Sequence, residues 1–295
     1  MEGKIKLNEN VSKGAVDIHI CGEIWSINDK PINANRVIEV LRAEYSKYGS
    51  TVFQRIDGSY ALFIEDLEKS MCYLVRDKLG VQPVYFSFQN GIFAWADTMK
   101  GVIAQGSFPT EVNTKVLHNY LAFRYVCGRN TMFDKVYELL PGHYVRLDTN
   151  KKEIEEKAYW DMPFFDNNIL INENIDYLID SVKELSISSI RRSLKNPKYR
   201  YGILSSGGVD SSLIIALAAR HIDKNFETYF IGFENYDGDR SKDAKMVADL
   251  YNVKHHEFYL DAKSYASGLV DSIRIHEEPL NHPGNVGTVL FFKYI

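Results

Sequence analysis

Tyr201-Gly-Ile-Leu-Ser-Ser-Gly-Gly-Val-Asp-Ser-Ser-Leu-Ile-Ile-Ala-Leu-Ala-Ala219 decides how the rest of the chain is read. It runs as a short apolar strand, a glycine turn, and a helix that opens on Asp210, Ser211 and Ser212. Gly207 and Gly208 allow a tight turn and a close approach of backbone to a ligand. Hydroxyls and free N–H groups at the helix start suit an anion, and the helix dipole favours negative charge there. Asp210 is the discordant residue, because a carboxylate repels a phosphate unless a cation lies between them. A divalent metal with a polyphosphate resolves the conflict most simply. An ordinary strand-to-helix turn with a Ser/Asp cap is the alternative that the turn alone leaves open.

Outward from this turn, strands and helices alternate. Strands are expected at Tyr201–Leu204, Phe226–Phe233 and His255–Leu260, and helices at Ser211–Arg220, Lys242–Tyr251, Lys263–Ile275 and Val286–Tyr294. Repeated βαβ units imply a parallel, doubly wound sheet with ligands at the carboxyl ends of its strands. The glycine turn and Ile231-Gly-Phe233 both fall at such ends, where Gly232 leaves room for a flat base. Upstream, Asn174 caps a helix to about Leu194 with Ile175, Leu178, Ile179, Val182 and Leu185 as its stripe; Pro197 closes it. His255-His-Glu257 looks metal-like, but neighbouring strand residues face opposite ways, so packing is the expected role. Glu277-Glu-Pro279 is read either as a turn near a site or as a plain helix end.

Residues 1–162 form a separate unit of strands with a few helices, joined to 173–295 by a linker at 163–172. Strands are expected at Val16–Trp25, Ser59–Glu65, Met71–Arg76, Val84–Phe88 and Ile92–Trp95, with a closing pair at 141–148 and 157–161. Helices are expected at Asn33–Tyr48, Thr98–Ala104 and Thr114–Phe123. The result is a mixed, mostly antiparallel sheet domain, so the fold class is α+β followed by α/β. The 45% hydrophobic and 25% charged residues are ordinary for a globular protein, and a net charge of −4 points away from nucleic acid and anionic membranes. No apolar run has the length of a membrane span. Cys21, Cys72 and Cys127 fit reduced cytoplasmic thiols rather than a disulfide framework or zinc site.

Gly22-Glu-Ile-Trp25, Asp57-Gly-Ser-Tyr-Ala61, Arg76-Asp-Lys-Leu-Gly-Val-Gln-Pro-Val-Tyr85 and Pro141-Gly-His143 resemble, in order, motifs of the glutaminase domain of asparagine synthetase. Ser206-Gly-Gly-Val-Asp-Ser-Ser212 is similar to the pyrophosphate loop of the ATP pyrophosphatases. Together they resemble the asparagine synthetase family and its cousins β-lactam synthetase and lasso-peptide cyclase. The resemblance implies an Ntn-hydrolase-like first domain and an ATP-pyrophosphatase second domain. It further implies that Leu204, Ser205, Ser206, Gly207, Gly208, Asp210, Ser211 and Ser212 hold ATP phosphates and Mg²⁺, with Asp210 on the metal. Ile231 and Gly232 would lie by the adenine. Asp239-Arg-Ser-Lys-Asp-Ala244 also resembles a family segment.

The first half departs from the family at its chemistry. Glu2 stands where the family exposes its nucleophilic cysteine, Cys21 replaces the amide that helps hold the oxyanion, and Ala34 replaces an acid that anchors the glutamine ammonium. The expectation is a domain that does not hydrolyse glutamine, with Arg76, Asp77 and Glu23 kept as fold-holding residues. The stretch after Gly284 lacks the further strand and metal-binding turn of relatives. A fragment, a split subunit and a degenerate homologue closed by a partner all fit that ending. Two functions follow: an AMP-forming amide ligase joining a small-molecule or peptide carboxylate to an amine, or a non-catalytic nucleotide-binding scaffold.

Overall fold

The computed structural model describes residues 2–6, 16–163, 174–194, 199–222 and 225–294. Its backbone divides into two compact units, Met1–Phe164 and Phe165–Ile295. The expected linker lies almost wholly outside the described residues, as does Pro197.

In the first unit, two antiparallel sheets stack. The larger has six strands: β2 (Val16–Ile27), β3 (Lys30–Pro31), β4 (Ile56–Asp66), β5 (Met71–Arg76), β9 (His143–Asp148) and β10 (Glu153–Ala158), ordered β10-β9-β5-β4-β2-β3. The smaller is β1-β7-β6-β8, from β1 (Glu2–Lys6), β6 (Tyr85–Gln89), β7 (Ile92–Ala96) and β8 (Tyr137–Glu138). Strand alternation assigns the two faces of β4 to two cores. Tyr60, Leu62 and Ile64 pack under helix α1 (Val37–Tyr48) with Leu41, Tyr45 and Phe53. Ala61 and Phe63 turn to the inter-sheet core with Leu74, Phe86, Phe93 and Trp95, where Phe63 stacks on Trp95 at 3.8 Å between centroids. Beyond the smaller sheet, helix α2 (Met99–Gly106) buries Met99 and Val102 against Ala94 and Ala96, and α3 (Leu117–Phe123) follows. β1, β3, β8 and the start of β10 are not signalled by the sequence; in β10 the reason is its charge, Glu153, Glu155, Glu156 and Lys157 being four of six residues.

Asp77 holds the turn that leaves β5. It is 1% exposed, and its carboxylate accepts from the backbone N–H groups of Tyr60, Leu79, Val81 and Gln82 at 3.0–3.3 Å. Arg76 donates to the carbonyls of Gln82, Leu139 and Gly80 and pairs with Glu138 at 2.6 Å. Both therefore serve the fold, as expected; Glu23 is instead exposed and accepts from the Trp25 indole.

In the second unit, α4 (Ile175–Ser193) precedes β11 (Tyr201–Leu204), α5 (Val209–His221), β12 (Phe226–Phe233), α6 (Ser241–Tyr251), β13 (His255–Leu260), α7 (Ala262–His276) and α8 (Gly284–Tyr294). The strands form a parallel sheet ordered β11-β12-β13. One face is covered by α5 and α6 through Ile215, Ala218, Val247 and Tyr251 on Tyr201, Ile203 and Phe226. The other receives α8, whose Phe291 meets Tyr229 and Phe258 edge-on and whose Gly287 lets the helix close on Ile231 and Leu260. α4 is helical as its periodicity predicts, but Ile175, Ile179, Val182 and Leu185 are exposed; Ile187, Ile190 and Leu194 make its packing face. Glu277 ends α7 with a left-handed backbone, φ 61°, which is the helix-end reading of that segment.

His255 and His256 face opposite sides of β13, as expected. His255 Nδ1 meets Thr228 Oγ1 at 2.9 Å, while His256 meets Glu227 at 2.6 Å and stacks on Tyr229. Burial pushes the His255 pKa below its usual value, against the opposing pull of Glu257 at 3.8 Å.

Two predictions follow from this packing. Asp77→Ala leaves four backbone donors without their acceptor and should cost about 3 kcal/mol or more, read by chemical unfolding of the first unit's transition. His255 is favoured neutral in the folded state, so the stability it contributes is present above the unfolded imidazole pKa, about 6.5, and is lost as pH falls below it. Melting temperature should therefore drop between pH 7 and pH 5, and His255→Asn should shrink that drop.

Candidate functional site

The carboxyl ends of β11 and β12 carry two turns that meet. The first, from Ser205 to Gly208, passes from β11 into α5. Gly207 is buried with φ +70°, a conformation a side chain rarely adopts. A Cβ on Gly207 would lie 2.6 Å from the carbonyl oxygen of Arg240, so the glycine is required twice, by its backbone and by its neighbour. Gly208 is the helix N-cap, and no side-chain hydrogen bond caps α5. The first helical bond runs from Ser212 N–H to the Gly208 carbonyl at 3.1 Å. The N–H groups of Val209, Asp210 and Ser211 thus precede it and point out of the helix start.

The hydroxyls stiffen this turn. Ser206 Oγ accepts from the Gly208 N–H at 3.3 Å and lies 3.1 Å from Ser211 Oγ; Ser211 and Ser212 Oγ donate to the Gly208 carbonyl at 3.2 and 2.7 Å. Ser205 N–H donates to the Tyr229 carbonyl at 2.7 Å, fixing the turn to β12. Ser205 is 2% exposed, and its Oγ has no partner among the described residues. A buried hydroxyl without a partner is costly, and here it lies in the turn that would cradle a ligand. Leu204 is 44% exposed at the strand end.

Asp210 is exposed in the first turn of α5. One carboxylate suits Mg²⁺, which uses one or two and completes its shell with phosphate oxygens and water. No group of three or more His, Cys, Asp or Glu among the described residues is arranged to hold a metal by itself. The donor set fits a cation shared with a phosphate ligand.

The structure thus brings Ser205, Ser206, Gly207, Gly208, Asp210, Ser211 and Ser212 into one turn, with Leu204 at its root. Ile231 and Gly232 stand apart on β12. Ile231 packs against Gly287 of α8, and the space beside Gly232 is filled by the Tyr259 ring, 2.6 Å from where its Cβ would sit. The open surface expected at Gly232 is therefore taken by its neighbour on β13. The second turn, Glu234–Arg240, lines a cavity with Tyr236, Asp237 and Asp239; Tyr259 donates to Asp239 at 2.9 Å. Arg240 stands out in the sequence only within the family-like segment Asp239–Ala244 and with no role of its own, since nothing in local spacing signals that the two turns touch.

In the first unit, β1 is paired antiparallel with β7, Glu2 opposite Ala96. Cys21 is half-buried, with Sγ 3.9 Å from Gln82 Oε1. Cys72 is buried, which pushes its thiol pKa up and keeps it protonated. No helix among the described residues is long and apolar enough to cross a membrane.

Comparison with known proteins matches residues 26–160 to the glutamine amidotransferase domain family and residues 182–295 to the asparagine synthase family. A protein of Methanocaldococcus jannaschii named as a candidate glutamine-hydrolysing asparagine synthetase is 27% identical, over 82% of this chain and 46% of its own length. Amidase chyE of Penicillium rubens is 24% identical over 84% of this chain and 38% of its own. Glutamine-hydrolysing asparagine synthetase 1 of Bacillus subtilis is 23% identical over 86% and 39%. The chain spans less than half the length of these relatives. With both family domains in order and such relatives along most of its length, the chain belongs to the asparagine synthetase family.

Proposed function

We propose that the second unit binds ATP with its phosphates at the Ser206–Ser212 turn and serves an AMP-forming, amide-making ligation. The observation that carries this reading is the start of α5: three open N–H groups behind two glycines, with Asp210 beside them and no side chain capping the helix. Such a helix start binds phosphate through its N–H groups and its dipole. The second unit is then a PP-loop domain and the two-sheet first unit an Ntn-like one. Leu204, exposed at the end of β11, offers apolar surface to the base.

In this reading a substrate carboxylate displaces pyrophosphate from the α-phosphate of ATP, and an amine then takes the acyl group as AMP leaves. The Val209, Asp210 and Ser211 N–H groups, fixed in advance by the serine network, stabilise the charge that gathers on departing pyrophosphate. Mg²⁺, when bound through Asp210, would neutralise the phosphates. The first unit is read as having lost glutamine hydrolysis, supported by Cys21 in place of an amide donor and Ala34 in place of an ammonium anchor. Free ammonia or an amino group of the substrate is then the amine. Nucleotide binding without turnover is the second reading, since the open N–H groups at the start of α5 would hold a nucleotide in either case.

ATP–pyrophosphate exchange with a panel of carboxylates tests the ligase. Exchange is expected for one of them, falling at least about a hundredfold in Asp210→Ala, roughly the loss of one electrostatic transition-state contact. Nucleotide binding without exchange, alone or with the products of neighbouring genes, would leave only the second reading. Glutamate release from glutamine by the purified chain is expected to stay at background; release above it refutes the loss of glutaminase.

A further inference from the structure

We infer that Arg240 is a phosphate-binding residue of the Ser206–Ser212 turn, supplied from the second turn rather than from the loop itself. The inference rests on the nucleotide reading above and adds a residue to it. The Arg240 backbone is locked to the loop: its carbonyl oxygen and Cβ lie 2.6 and 2.9 Å from the Cβ position of Gly207, and Asp243 Cβ lies at 3.1 Å. Its side chain then turns toward the helix start, placing Nη1 3.9 Å from the Cβ position of Gly208. Arg240 supplies the cationic group within 4 Å of that position among the described residues.

The guanidinium is oriented but not used up. Nε donates to Asp243 Oδ2 at 3.2 Å, and neither Nη has a hydrogen-bond partner among the described residues. That leaves the outer edge of a planar fork half exposed over Gly208, the geometry that recognises phosphate through two parallel hydrogen bonds. Asp243 offsets one unit of this charge and Asp210 adds a carboxylate in the first turn of α5, while Asp239 is engaged by Ser241 N–H and Tyr259. Ser205 Oγ, buried and unpartnered in the same turn, is an independent sign that the turn is short of a ligand. An anion on the open N–H groups of α5 would meet the Arg240 fork on its flank. The fork selects for ligands that carry a pyrophosphate group over those with a single phosphate.

Calorimetric titration of the 295-residue chain with ATP, inorganic pyrophosphate and AMP, each with Mg²⁺, tests this. Arg240→Met should weaken ATP and pyrophosphate by about tenfold or more, the worth of a charge-assisted hydrogen bond, with AMP changed less than about twofold. Arg240→Lys keeps a cation without the fork and should fall between. Unchanged pyrophosphate affinity in Arg240→Met overturns the inference, and so does an equal loss for AMP, which would mark Arg240 as loop packing. If melting shows that Arg240→Met does not fold, Arg240→Lys decides: parental pyrophosphate affinity overturns the fork. Failure of the parent chain to bind either ATP or pyrophosphate removes the nucleotide reading itself. Parental binding that is indifferent to Arg240 removes only this inference.

Discussion

The contact between the Gly207 backbone and the Arg240 carbonyl holds together the turns at the carboxyl end of the second unit's sheet. Two βα turns that leave adjacent parallel strands would otherwise be independent loops. Here a buried left-handed glycine lets one nest against the other, and α5 and α6 start from a common joint. The serine hydroxyls complete the arrangement by bonding to the Gly208 backbone, so the open N–H groups of α5 are presented from a turn already braced. Preorganised donors of this kind do not have to be gathered when charge develops.

The first unit shows the same economy applied to a different end. Arg76 and Asp77 lie in the segment most like the family's motif, and both are spent on backbone groups of one turn. Motif residues of this sort transmit a fold. In the reading proposed above, Cys21 and Ala34 mark where the glutaminase chemistry has been given up. A domain keeps its scaffold when the cost of losing a buried, multiply bonded carboxylate is large.

Much of this was legible in the sequence because local patterns decide it. Period-two and period-3.6 runs place β5, β12, β13, α1, α6 and α7 within a residue or two or, at the start of α1, a few; glycine and proline mark the turns. Where tertiary context decides, the sequence was silent or misleading. The stripe on α4 predicts a helix but not which neighbour covers it, and Ile187, off that stripe, is the buried residue. Glycine at 232 reads as room for a ligand, yet a glycine equally makes room for Tyr259. Strand β10 is charged enough to hide in the pattern because among the described strands it pairs only with β9, at the sheet's margin. Arg240 belongs to the loop through a contact that no spacing rule encodes.

One consequence lies in the position of β11. It pairs with β12 alone among the described strands, four residues to four, although it carries the turn from which α5 departs. Among the described residues its backbone groups on the other side have no ladder, and an edge so short has a low free energy of local opening. Amide protons of β11 should therefore exchange with solvent sooner than those of β12, which is paired on both flanks. The rigidity of the turn is then borrowed from its neighbour: Ser205 bonded to Tyr229 and Gly207 seated on Arg240 tether a short edge strand to the sheet's centre.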